Sequence, residues 1–300
     1  MDWVLLSFAA ATFLTANSLV QRYVLQRELS GVIAFGFWGA MVHMALAAGI
    51  LLLQPLPDSL PLRPALAMAA VGLLTVAISV LSCSAMRREE VTRAAPVVDS
   101  NPIFIAIMAV AFLGETISAA QWAAICLVVS GAFLASMHQQ PVRGKFRVGL
   151  PFFLLLGASF GIAVHSIVSK YVLGYMSFWH AYAIASLATA PAFAVVVQAS
   201  GAWAQVRKAT QAPRTFALVL SAGAFLSLAI FCALWAFQLG PVSLASAIMA
   251  IRPVMVLAYA GLIAYLAPRV LMERNSGAAL AAKGLAATFV TAGVGALALA

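Results

Sequence analysis

The chain has little charge. Of 300 residues, 17 are Lys or Arg and 8 are Asp or Glu, so 8% carry a formal charge, against roughly a quarter in an ordinary soluble domain. That scarcity excludes a soluble globular enzyme and a disordered chain. Cysteine is scarce as well. Cys83, Cys126 and Cys232 lie far apart inside apolar runs, which gives neither a disulfide framework nor a CxxC metal pattern and leaves them as small packing residues. The histidines, His43, His138, His165 and His180, form no HExxH pair, and no Walker A sequence occurs. No metal site, no cofactor and no direct use of ATP are therefore expected. Gly157-Ala-Ser159-Phe-Gly161 has the letters of a GxSxG nucleophile motif, but it lies inside an apolar run and not at a strand–turn–helix junction. It reads as helix packing through small residues. The net charge of +9 is no sign of nucleic-acid binding, because the basic residues punctuate apolar runs as membrane-flanking charge does.

What the chain does have is apolar length: 64% of it is hydrophobic. A membrane-crossing helix needs about 20 mostly apolar residues, and ten such runs fit: 3–22, 31–54, 64–86, 94–114, 119–138, 148–170, 178–200, 214–238, 242–266 and 278–299. The breaks carry turn residues and charge, as in Gln54-Pro55-Leu56-Pro57-Asp58 and Arg87-Arg88-Glu89-Glu90. The first run opens on Asp2 without a basic n-region, so it is not read as a cleavable signal. Lipid offers the backbone no hydrogen-bond partner, so only helices or closed barrels cross it. Barrel strands alternate polar and apolar residues; these runs are apolar all round, so they are helices. The expected fold class is an all-α integral membrane protein with ten transmembrane helices.

The two halves repeat. Asn17-Ser-Leu-Val-Gln-Arg-Tyr-Val-Leu25 matches His165-Ser-Ile-Val-Ser-Lys-Tyr-Val-Leu173 at five of nine positions, and Ala85–Pro102 aligns with Ala236–Pro253, both ending in a mid-span proline. The domains are then residues 1–140 and 141–300, each a five-helix repeat. An odd number of spans per copy forces the copies into opposite orientations. Such inverted repeats place a substrate site between them near the midplane.

Phe112-Leu-Gly-Glu115-Thr-Ile-Ser-Ala-Ala-Gln-Trp122, followed by an apolar span containing Gly131, resembles the end of an EamA domain. Two such units in tandem mark the drug/metabolite transporter superfamily, and the resemblance implies a secondary transporter with no enzymatic activity. The second half lacks the Gly-Glu element and has Tyr265-Leu-Ala-Pro-Arg-Val-Leu-Met-Glu273-Arg-Asn in that region, so no role is carried over to Glu273. Members of the resembling family more often keep both termini inside. The charge pattern favours the opposite. Fourteen basic residues follow odd-numbered spans, whereas only Arg63 and Lys170 follow even ones. The positive-inside rule then puts both termini outside the cytoplasm, in the cell (inner) membrane.

Polar residues at membrane depth cost roughly 2.5–3.5 kcal/mol each when charged and are site candidates by default. Arg252 lies about nine residues, roughly 13 Å, into the ninth span, where a guanidinium fork suits a carboxylate or phosphate; it also suits a structural pair with Asp99 or the carbonyls freed by Pro253. Its repeat mate is Asn101, and each precedes a proline that interrupts a helix. Asp99 pairs with Arg252, binds a substrate amine, carries a coupling proton, or is merely solvated. Asn17 and His165 are repeat mates and candidate cavity residues; His43 lacks that support and reads as packing. Trp179, Tyr182 and Ser186 share one helix face, as do Phe231, Trp235 and Gln238. Trp179 and Tyr182 join the candidate set, and Trp235 and Tyr259 are candidates to pack the apolar part of a substrate. Glu115 is expected to cap the helix that follows it.

The expected function is a transporter moving a small polar or amphipathic metabolite, an amino acid or related organic anion, by alternating access. The alternative is a flippase for a lipid-linked head group. Expected partners are the small-molecule substrate and the lipid bilayer, with proton coupling through Asp99 as an option and either a monomer or a homodimer.

Overall fold

The computed structural model describes residues 2–27, 31–57, 59–86, 100–137, 150–256, 258–259 and 277–299. Within them the first half contributes α1 (Asp2–Arg27), α2 (Val32–Leu53), α3 (Leu62–Met86), α4 (Asn101–Leu113) and α5 (Ala119–Met137). The second contributes α6 (Leu150–Val172), α7 (Phe178–Ser200), α8 (Trp203–Gln211), α9 (Pro213–Leu239), α10 (Val242–Met249) and α11 (Gly277–Leu299). No strand occurs among the described residues. Among the described residues six helices are long and apolar enough to cross a bilayer, namely α1, α2, α3, α6, α7 and α9, and shorter apolar helices lie in the other four expected runs. The chain is an all-helical integral membrane protein.

Local chemistry sets the helix ends. Proline stands in the first turn of α4 and of α9, where its missing N–H costs nothing. Ser118 and Gln121 form a capping box at the start of α5: Ser118 N donates to Gln121 Oε1 at 2.9 Å, and Gln121 N donates to Ser118 Oγ at 3.3 Å. Gly114 ends α4 at φ +67°, a left-handed conformation that glycine adopts without Cβ strain. Its N–H and that of Glu115 both bond Ala109 O, a Schellman-type closure that turns Glu115 away from α5.

One helix lies outside the expected spans. Residues 203–211 fall between the seventh and eighth runs, yet α8 forms with Val206 and Ala209 buried and Arg207 and Lys208 exposed. Trp38 Nε1 donates to Val206 O at 3.2 Å, and Trp203 packs edge-on against Phe37, so α8 lies along the start of α2. The i, i+3 spacing of Trp203, Val206 and Ala209 carried that signal within an otherwise polar stretch.

The halves do not pack as separate bundles. α1 packs on α9 and α3 on α6; α3 packs on α7 and α2 on α9; α4 packs on α6 and α1 on α10. Three further pairs, α2 with α7, α4 with α10 and α5 with α11, join helices of corresponding rank. Exchanging the two halves turns this set of contacts into itself. Small residues allow the closest approaches: a Cβ on Gly161 would stand 2.9 Å from Ile78 Cγ1, and one on Gly293 would stand 2.9 Å from Ala124 O. Cys126 is exposed rather than packed inside. Ser159 of the GxSxG sequence is fully buried, 3.4 Å from Ser100 Oγ.

Candidate functional site

Two helical stretches start with a turn and a proline at equivalent places. α10 ends at Met249, residues 250–251 form a turn, and helix resumes over 252–256, starting with Arg252 and Pro253. In the first half Ser100 forms a turn and α4 starts with Asn101 and Pro102. The turn bonds correspond as well: Ile103 N donates to Ser100 O at 3.2 Å, and Val254 N donates to Ile251 O at 3.0 Å. Proline suits the start of a hydrogen-bond run, and in the second half residues 250–251 are irregular backbone between two helical stretches of an apolar span. Irregular backbone survives at that depth only where protein or a cavity faces it.

A cavity of about 300 Å³ lies against these breaks, lined by Asn101 from α4, His165 and Ser166 from α6, Ser246 from α10, and Arg252. Its apolar wall includes Leu234 and Phe237 of α9. A second cavity of about 540 Å³ is lined by Asn17, His43, Ser82 and Thr189 and reaches Gln21, Val32 and Ser200. Those last three lie where α1 ends, α2 begins and α7 ends, so this cavity runs to that end of the bundle. Thr75, Ile78, Ser79 and Ile230 line both cavities, so the two adjoin along α3 and α9.

Of the expected site residues, Asn101, His165 and Arg252 share the smaller lobe, and Asn17 lies in the larger. Asp99 lies outside the described residues, as does the Tyr265–Asn275 region. Tyr259, Trp179, Tyr182 and Trp235 line neither lobe. Trp179 and Trp235 belong to an aromatic cluster where α7 meets α9. Phe178 stacks on Trp235 at 5.2 Å, and Trp179 meets Phe231 edge-on at 4.4 Å. The two faces therefore pack on each other, and Phe178 N donates to Gln238 Oε1 at 3.3 Å.

His43, read from sequence as a packing residue, lines the larger lobe. Its Nδ1 lies 2.8 Å from Ser227 Oγ and 3.0 Å from Tyr182 Oη. Asn17 is only 8% exposed, and its Oδ1 has no hydrogen-bond partner. A buried amide oxygen left bare is costly, on the order of 1–3 kcal/mol. No signal in the sequence placed His43 on the lobe that Asn17 also lines, because its partner Ser227 lies on α9, far along the chain.

The opposite end of the bundle is closed by charge. Glu115 does not cap α5; Ser118 and Gln121 do that. Glu115 Oε1 instead accepts from Val242 N at 2.7 Å, and Oε2 accepts from Ser243 N at 3.2 Å and from Ser243 Oγ. The carboxylate thus caps the N-terminus of α10, where the helix dipole favours negative charge. On the other side of the same turn, Lys170 Nζ donates to Phe237 O at 2.5 Å and Gly240 O at 2.8 Å. That ammonium caps the C-terminus of α9. Trp3 covers the turn so closely that a Cβ on Gly240 would stand 2.5 Å from its ring. Among the described residues, no group of three His, Cys, Asp or Glu side chains comes together.

Residues 1–137 match the model of the EamA-like transporter family. A protein of known crystal structure superposes with a TM-score of 0.76 at 15% identity, covering 99% of this chain and 96% of its own; at that identity the likeness is one of fold. No curated protein matches the chain. The Gly114-Glu115 element lies inside the matched region and makes the joint between α4 and the second half. Residues 1–137 are thus similar to the EamA-like transporter family, and the likeness of fold to the solved structure runs the whole length of the chain.

Proposed function

We propose that the protein is a secondary transporter of a small organic anion or amino acid, built from inverted five-helix repeats over 1–140 and 141–300. The single observation that carries the reading is the meeting of Asn101, His165 and Arg252, from three helices and both halves, around one cavity beside the start of α4 and the turn at 250–251. Arg252 is the anion anchor, since a guanidinium offers paired donors to a carboxylate. Asn101 and His165 add hydrogen bonds, and Leu234 and Phe237 pack the apolar part. The self-exchanging helix contacts support two repeats related by a two-fold axis, and five spans in each support their inversion.

Alternating access follows from that symmetry. The larger lobe runs to the end of the bundle reached by odd-numbered spans, whose loops carry most of the basic residues. By the positive-inside rule this end is cytoplasmic, and both termini and the Glu115–Lys170 closure face outside. A reporter at the C-terminus should read outside; a cytoplasmic reading reverses the assignment.

The decisive experiment compares native protein with Arg252→Gln in thermal-shift and vesicle-uptake assays against carboxylates, amino acids and lipid-linked head groups. A charge-assisted hydrogen bond contributes about 1.5–3 kcal/mol, so the substitution should weaken a carboxylate roughly tenfold to a hundredfold. Uptake at the native rate by folded Arg252→Gln refutes the anchor. Stabilisation by lipid-linked compounds alone replaces the transporter of soluble anions with a flippase.

A further inference from the structure

We infer that α8 and the first turn of α9 form a binding site for the head-group phosphate of an acidic phospholipid, outside both cavities. The inference starts from the lipid-facing side of α7. Leu187, Pro191 and Val195 are all exposed there at four-residue spacing, which puts them on one side of the helix. An exposed apolar stripe on a helix long enough to cross a bilayer is a lipid contact. Gln198 continues the stripe three residues on, and its Oε1 accepts from Trp203 Nε1 at 2.7 Å. The Trp203 indole is partly exposed and hydrogen-bonded at its edge. Such an amphipathic ring belongs where hydrocarbon meets head groups. The start of α8 therefore lies at head-group depth, on the lipid side of the bundle.

The basic groups stand one turn further along. Arg207 follows Trp203 by four residues, so it shares that side of α8, about 6 Å along the axis. Lys208 is next to it, and both are exposed, as is Arg214 in the first turn of α9. Protein contacts occupy the opposite face. Val206 and Ala209 are buried, Trp38 Nε1 donates to Val206 O at 3.2 Å, and Gln205 lies against Gly31 at the N-cap of α2. The joints are short: Gly201, at φ +66°, closes α7, and Ala212 alone separates α8 from α9. The helix is thus held in place before a ligand arrives, which lowers the cost of binding. Charge then selects the ligand. Residues 201–214 hold three basic residues and no Asp or Glu. In the ten-span reading, the loops after odd-numbered spans hold four acidic residues, Glu28, Glu89, Glu90 and Glu273, against fourteen basic ones. The excess stays positive whatever pairs these form. A guanidinium beside an ammonium suits a phosphodiester, and the acyl chains of the same molecule reach the Leu187–Val195 stripe. A soluble anion makes no use of that stripe, so a lipid fits the surface better.

The test uses the purified full chain in detergent with equal amounts of phosphatidylglycerol and phosphatidylcholine, and native mass spectrometry to count each lipid bound. A basic residue near an acidic surface strengthens attraction about fivefold. The preference of the tightest site for phosphatidylglycerol should therefore fall roughly twentyfold to thirtyfold in the double variant Arg207→Gln, Lys208→Gln. Arg207→Lys, which keeps the charge, should retain most of it. Glycerol phosphate has the anion without the acyl chains and should not displace the lipid at equal concentration. Melting temperatures in phosphatidylcholine alone should match, since only exposed side chains change. If the double variant melts earlier, Arg214→Gln gives the reading: a loss of about fivefold keeps the site, and no loss removes it. An equal preference in native protein and a stable double variant overturns the proposal. Displacement by glycerol phosphate at equal concentration overturns it too, and makes the site one for a soluble anion.

Discussion

Removing the carboxylate of Glu115 should loosen one end of the bundle without touching the cavity. Glu115 is half-buried and accepts from two backbone N–H groups at the start of α10 and from the Ser243 hydroxyl. Hydrogen bonds to a charged acceptor are worth about 1.5–3 kcal/mol each at most, and less where water competes. A charge at a helix N-terminus adds roughly 0.3–1 kcal/mol. Water entering after Glu115→Ala recovers part of this, so a net loss of about 2–3 kcal/mol is expected. Because both charges grip the single turn between α9 and α10, the loss falls on that closure. If the closure opens during transport, a loss of that size raises the open population by roughly thirtyfold to a hundredfold. The assay is labelling of Ser246→Cys by a membrane-impermeant thiol reagent, with the native cysteines replaced by alanine. Labelling should accelerate in Glu115→Ala and change less in Glu115→Gln, which keeps one acceptor oxygen. Unchanged labelling and an unchanged melting temperature in Glu115→Ala would refute the closure.

Further substitutions test the joints around it. Gly114→Ala forces a Cβ into left-handed backbone and should cost about 1–2 kcal/mol, with the same rise in Ser246→Cys labelling because Glu115 is misdirected; a neutral melting temperature contradicts the role given to Gly114. Ser118→Ala removes half of the capping box and should lower stability by about 1 kcal/mol in thermal unfolding, leaving substrate binding unchanged. Gly293→Leu drives a side chain into Ala124 O and Val128 and should reduce the yield of folded protein in size-exclusion chromatography, since overpacking a close helix contact costs roughly 1–3 kcal/mol or more. Normal yield and elution would show that α5 and α11 can separate.

The sequence alone decided what backbone chemistry decides. A chain this apolar has to satisfy its amides internally, so the described residues of its runs form helices, and the Gly-Glu element that resembles an EamA-like unit was readable in one dimension. Pro102 and Pro253 announced where two helical stretches would start, because a proline's missing N–H acts within its own turn. Three features waited for tertiary structure. Glu115 looked like a cap for the helix after it, and only the left-handed turn at Gly114 aims it at α10, more than a hundred residues away in the chain. Trp179 and Trp235 looked like cavity aromatics, but the faces carrying them close on each other. His43 looked like packing until α9 set Ser227 against its Nδ1 and left it on the lobe that also holds Asn17. Helix formation is local and periodic, so it is written along the chain; which faces meet depends on the packing of every helix at once, and that alone turns scattered polar residues into a site.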